Sequence, residues 1–103
     1  MIWKIKYSER AKKDLVSIFE YISIELAAPK AAEGLLERLF KTVRSLEDLP
    51  MRRPIYTEEP WKTRNTRFIT IDNYIVFYTI DESSSTVNVL RIIYAGRDMK
   101  KLV

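Results

Sequence analysis

Residues 66–103 read TRFITIDNYIVFYTIDESSSTVNVLRIIYAGRDMKKLV, and this stretch decides the architecture. Phe68 to Ile71, Tyr74 to Ile80 and Val87 to Ile93 are rich in β-branched and aromatic residues and are bounded by turn formers, which is the composition of strands. Asp72-Asn73 is short enough for a tight turn, and Glu82-Ser83-Ser84-Ser85 makes a longer polar loop, so neighbouring strands pair as an antiparallel meander. In the middle strand Tyr74, Val76, Tyr78 and Ile80 lie on one side and Ile75 and Phe77 on the other. A sheet with one solvated face does not carry such a strand. The second face is expected to be covered either by the chain's own proline-rich loop and tail or by a partner protein.

Outward from this stretch, Met1 to Tyr7 alternates, with Trp3, Ile5 and Tyr7 on one face and Ile2, Lys4 and Lys6 on the other. This is a strand buried on one side, and its two lysines suit an edge. Ser8 is placed to cap a helix with Glu9 in its first turn, and Ala11, Leu15, Ile18, Ile22 and Leu26 form an apolar stripe. The helix should stop near Ala27-Ala28, since the residue before Pro29 is disfavoured in helical geometry while Pro29 itself fits a first turn. Ala32, Leu35, Leu36, Leu39, Val43 and Leu46 stripe a second helix, which makes an antiparallel hairpin with the first. Phe19 and Phe40 sit off the centres of the stripes and widen them. Residues 50–63, with Pro50, Pro54 and Pro60, read as a loop lying over the surface.

The fold expected is therefore α+β, in the order β-α-α-β-β-β. The helical hairpin packs on one face of a mainly antiparallel sheet, a short basic tail follows, and residues 1–103 form one domain. Without cysteine there is no disulfide, thiolate metal site or cysteine nucleophile, and a reducing, cytoplasmic setting is expected. No stretch approaches the length that spans a bilayer, and the start MIWKIKYSER lacks the pattern of a signal peptide. Without histidine, proton transfer near neutral pH falls to Glu, Asp, Tyr, Lys or Arg. The net charge of +4 resides mostly in the second half, where nine basic residues meet six acidic ones. Such a surplus suits a nucleic-acid surface or an acidic protein partner alike.

The basic residues of that half are Arg52, Arg53, Lys62, Arg64, Arg67, Arg91, Arg97, Lys100 and Lys101, with Tyr56, Trp61 and Tyr94 as aromatic companions. Arginine meets phosphate in a bidentate way and aromatic rings stack on bases, so the set has the chemistry of an RNA surface. The same residues also serve to solvate a face. Position singles out Tyr94 and Arg97, beside Gly96 at the end of the last strand.

The order of elements, the segment Asn73-Tyr74-Ile75-Val76-Phe77-Tyr78 and the ending Leu90-Arg91-Ile92-Ile93-Tyr94-Ala95-Gly96-Arg97-Asp98 resemble the RelE/ParE family of bacterial toxins over nearly the whole chain. The resemblance implies the toxin of a type II toxin–antitoxin module, with a cognate antitoxin that wraps the sheet and helices, in a hetero-oligomer and without a cofactor. Members that cut messenger RNA on the ribosome place an arginine in the middle strand and a tyrosine or histidine near the C-terminus. Here Ile75 follows Tyr74 and that strand has no Lys or Arg. A nuclease, which would be metal-independent, would have to draw on Arg64, Arg67, Arg91, Tyr94 and Arg97, with Glu58 or Glu59 as base. The alternative role of Arg67 and Arg91 is a cross-strand or solvent-facing charge. The ParE branch, whose members poison DNA gyrase, looks closer through Ala95-Gly96-Arg97-Asp98 and the tail to Leu102. In that reading Arg97, Lys100 and Lys101 contact the target, while a local ion pair of Arg97 with Asp98 is the structural alternative. A third reading is a non-toxic interaction module on the same fold.

Overall fold

A computed structural model describes residues 2–96 and holds four strands and two helices: β1 (Lys4–Tyr7), α1 (Glu9–Glu20), α2 (Pro29–Arg44), β2 (Arg67–Ile71), β3 (Tyr74–Asp81) and β4 (Thr86–Tyr94). The sheet order is β1-β4-β3-β2. The β2-β3 and β3-β4 pairs are antiparallel, while β1 lies parallel to β4 at the edge. The sheet is thus mixed, and the β-α-α-β-β-β order is the one expected. The basic tail, with Arg97, Lys100 and Lys101, lies outside the described residues.

Ser8 accepts the Ala11 amide at 3.0 Å and so caps α1. The helix then widens into a π-helical turn at Tyr21–Glu25, where the Leu26 amide reaches the Tyr21 carbonyl at 3.1 Å. Ala27, at φ 49°, takes the left-handed conformation that reverses the chain, and Pro29 opens α2. Ala32, Leu35, Leu39 and Val43 of α2, together with Leu46, are buried as their spacing requires, and Leu36 is half-buried. On α1 and the π-helical turn after it only Ala11 is buried; Leu15, Ile18 and Ile22 are partly covered, and Leu26 beyond them is exposed. Phe40 is exposed on one side and meets Tyr7 edge to face.

The two faces of β3 divide as the alternation predicts. Val76 and Tyr78, with Tyr74 and Ile80 at the margin, join the core under the hairpin, while Ile75 and Phe77 belong to a second core on the opposite face. That second face is closed by the chain itself. Trp61, 2% exposed, stacks flat on Phe77 with ring centroids 4.1 Å apart, and Tyr56 meets both Phe77 and Phe68 edge to face. Of the two occupants considered for this face, the proline-rich loop takes the place, so a partner is not needed to cover it. The loop is held by Ile55 bridging to Arg67, by the Tyr56 amide on the Thr66 carbonyl and by the Thr66 amide on the Trp61 carbonyl. Of the aromatics grouped above as RNA-stacking companions, Trp61 is for this reason a core residue and Tyr56 is half-buried against that core.

Tyr78 fastens the start of the loop, donating from its hydroxyl to the Pro50 carbonyl at 2.6 Å. Burial pushes its pKa up to about 12, against the lowering pull of Arg67, Arg53 and Arg52. The folded-state value lies above the unfolded one, so the stability tied to neutral Tyr78 is present below pH 10 and is lost as pH rises from about 10 toward about 12. Tyr78→Phe is expected to flatten the fall in unfolding free energy over that range relative to the parent chain, measured by urea titration at successive pH values. Equal slopes in the two proteins would show that Tyr78 is accessible to solvent and ionises freely.

Candidate functional site

The short β1 leaves the far half of β4 without a strand neighbour on the side away from β3, and α1 supplies what is missing. β1 pairs with β4 only from Thr86 to Val89. Beyond it the Ser8 amide donates to the Val89 carbonyl at 2.9 Å, and the Ser8 hydroxyl donates to the Leu90 carbonyl at 2.8 Å. Leu90 is the extra residue of a bulge, since Phe77 faces Arg91 while Tyr78 faces Val89. The bulge reverses the alternation, so Val89 and Ile92 both enter the core under the hairpin and Arg91 falls on the other parity. Asp14 then accepts the Ile92 amide at 2.9 Å and both ends of the Arg91 guanidinium, Nε at 2.9 Å and Nη2 at 3.1 Å. Both side chains are nearly covered, at 11% and 15% exposure. Such a bidentate, desolvated pair fixes geometry and loses much when one partner is removed.

Beside this clamp lies a groove of about 910 Å³ between the helices and the turn end of the sheet. Ile18, Tyr21, Ile22 and Leu26 form one wall, Tyr74, Ile92 and Tyr94 the other, and Asp14 and the Arg38–Asp72 ion pair (2.9 Å) stand at its margins. Tyr21, Leu26 and Tyr94 are about half exposed, and Val16 and Ile24 add exposed apolar surface on the same helical segment. Tyr74 meets Tyr94 edge to face, and its pKa is raised by burial first and then by the neighbouring Tyr94, Tyr21 and Asp72. An apolar trough with a charged rim, left open by a helix that buries only Ala11 fully, has the character of surfaces that take up a protein segment.

Of the residues proposed for nuclease chemistry, the described ones take different places. Arg91 is committed to Asp14. Arg67 stands across from Tyr78 and donates to the Arg53 carbonyl at 2.6 Å, whereas Tyr94 stands across from Tyr74. Tyr74 and Tyr78 are four residues apart on β3, so Arg67 and Tyr94 are separated by roughly 13 Å along the strands and about 10 Å across them. Arg64 is exposed in the turn after Trp61, and Glu58 and Glu59 are exposed in the loop, where Glu59 accepts from Thr63. Arg97 lies outside the described residues. Among the described residues there is no cluster of metal-ligating side chains, and no helix is long and apolar enough to cross a membrane.

Asp14 escaped the reading of the sequence, although its position gave a signal. It falls three residues after Ala11 and four before Ile18, on the apolar stripe, where an acid demands a partner. Asp14→Ala is expected to destabilise the chain by about 3–5 kcal/mol, because it strands a covered guanidinium and an edge amide. Urea unfolding checks this, and a loss below about 1 kcal/mol would contradict the clamp.

A model of the family described as "ParE toxin of type II toxin-antitoxin system, parDE" matches residues 5–99. Among solved structures, the chain is similar to one of the chromosomal ParDE system from P. aeruginosa, at 18% identity and a TM-score of 0.73, covering 90% of this chain and 96% of that one. It is also similar to a chain of the RelBE2 toxin–antitoxin complex from Mycobacterium tuberculosis, at 19% identity and a TM-score of 0.62, covering 91% and 99%. A chain of the E. coli RelBE complex follows at 15% identity and a TM-score of 0.55, covering 92% and 99%. At these identities the structures share the fold. No curated protein matches.

Proposed function

The chain belongs to the ParE toxin family of type II toxin–antitoxin systems, and from that premise we propose that it arrests growth by binding a target protein, DNA gyrase, and not by cutting RNA. The observation that carries this reading is the dispersal of the basic and tyrosine side chains a nuclease would need. A phosphorane-like transition state requires donors aimed at one point. Here Arg67 and Tyr94 occupy opposite ends of the sheet and Arg91 is neutralised by Asp14. β3 offers no basic side chain, and the chain has no histidine. Target contact is assigned to Arg97, Lys100 and Lys101.

The complexes found for P. aeruginosa ParDE and for RelBE support a cognate antitoxin as the partner of this chain too. The groove between α1 and the end of β4 is the seat assigned to it, since an amphipathic helix lays its apolar side into such a trough.

Induction of the chain in cells, with transcript integrity and the DNA-damage response followed together, tests the mechanism. The damage response is expected to rise with transcripts intact. Arg97→Ala combined with removal of residues 100–103 should abolish growth arrest, while Arg67→Ala and Tyr94→Phe leave it. Cleavage of transcripts on purified ribosomes, lost by about 100-fold or more in Arg67→Ala or Tyr94→Phe, would establish the nuclease reading instead. Neither signal would leave the non-toxic interaction module.

A further inference from the structure

The segment that closes the far face of the sheet carries two polar groups that its own packing leaves unmatched. Trp61 is 2% exposed and Thr66 is fully covered. Among the described residues, the buried side-chain atoms that find no hydrogen-bond partner in the chain are the indole nitrogen of Trp61 and the hydroxyl oxygen of Thr66. A polar atom taken out of water gives up the bonds it had there, so buried donors and acceptors in folded proteins are matched nearly always. Here both unmatched atoms belong to one turn.

The main chain of that turn is spent on itself. The Thr66 amide donates to the Trp61 carbonyl at 2.9 Å, the Asn65 amide to the Lys62 carbonyl at 3.0 Å, and the Thr66 carbonyl accepts the Tyr56 amide at 2.9 Å. Asn65, at φ 55°, takes the left-handed conformation that turns the chain back into β2. The indole ring lies flat on Phe77, 7° from parallel, so its N–H cannot swing out to solvent without breaking the stack. Trp61 and Thr66 are thus tied together through the backbone, each with a polar atom enclosed by the core of Ile75, Phe77 and Ile93 or by the turn itself.

The chemistry of the two atoms selects what can satisfy them. An indole N–H only donates, whereas a hydroxyl both donates and accepts. The donor repels a metal ion, and an anion would bring an uncompensated charge against an apolar core. A neutral molecule that accepts one bond and makes another fits both groups. We propose that a buried water molecule is an integral part of this wall, accepting from Trp61 Nε1 and bonded to Thr66 Oγ1. Two polar partners are the minimum that holds an internal water, and the pair supplies them. The water joins the ring that covers the sheet to the residue from which β2 starts. This assignment concerns the far face of the sheet and is independent of target, antitoxin and groove.

A crystal structure of the full chain, at a resolution that shows ordered solvent, tests it together with one substitution. A water is expected at about 2.7–3.2 Å from both atoms. Thr66→Val replaces the hydroxyl by a methyl group of the same shape, and the two possible sites answer with opposite sign. In a hydrated site the change strands the water and the indole N–H, and the unfolding equilibrium constant in urea titrations is expected to rise by about fivefold to thirtyfold. In a dry site it removes an unmatched hydroxyl and stabilises the chain. Unfolding of Thr66→Val that is unchanged or less favourable than in the parent would overturn the proposal. So would a crystal structure in which the space is empty, the water touches one of the two atoms alone, or either atom bonds directly to a protein group. If Thr66→Val does not fold, the crystal structure of the parent chain decides.

Discussion

The structure turns on one constraint: β3 is apolar on both faces, so it must be covered twice. The helical hairpin covers the first face with Leu35, Leu39, Val43 and Leu46. Among the described residues no second helical layer covers the other face, and a loop takes that place with Trp61 lying flat on Phe77 and Tyr56 beside it. A large aromatic side chain buries about 150–250 Å², which lets an irregular segment act as a wall of the core. Tyr78 reaches out from the first core to hold Pro50, where this loop starts, and so links the two coverings.

The same economy governs the edges. β1 is four residues long and β4 nine, so part of β4 would present bare amides to water if nothing else reached them. Ser8 and Asp14 reach them from α1, and the bulge at Leu90 brings Arg91 round to complete the pair. This tie draws the start of α1 against the sheet while its later turns stand away, which leaves the groove between Tyr21, Leu26 and Tyr94. Fold and candidate interface therefore have one origin. The residue that anchors the helix also sets the width of the trough in which a partner segment would lie.

Much of the fold was legible because it rests on periodicity. The alternation of Tyr74 to Ile80, the stripe from Ala32 to Leu46, the Ser8 cap and the break at Ala27-Ala28 all report local geometry, and all appear as read. What periodicity could not show was which of two occupants closed the far face, because Trp61 sits in a segment with no repeat. Nor could it show that Arg91 spends its charge on Asp14, a contact spanning 77 positions and produced by a one-residue bulge. Basic residues in a list looked like an RNA surface, yet the sheet register sends Arg67 and Tyr94 to opposite ends.

The central claim is that the segment 50–66 closes the far face of the sheet through the buried Trp61, so that this face does not await a partner. Replacing Trp61 by alanine and measuring urea unfolding of the isolated chain tests it directly. The account predicts a loss of about 3–5 kcal/mol, the cost of emptying a buried aromatic site. A loss of less than about 0.5 kcal/mol, the value typical of exposed positions, would contradict it and return the far face of the sheet to the partner.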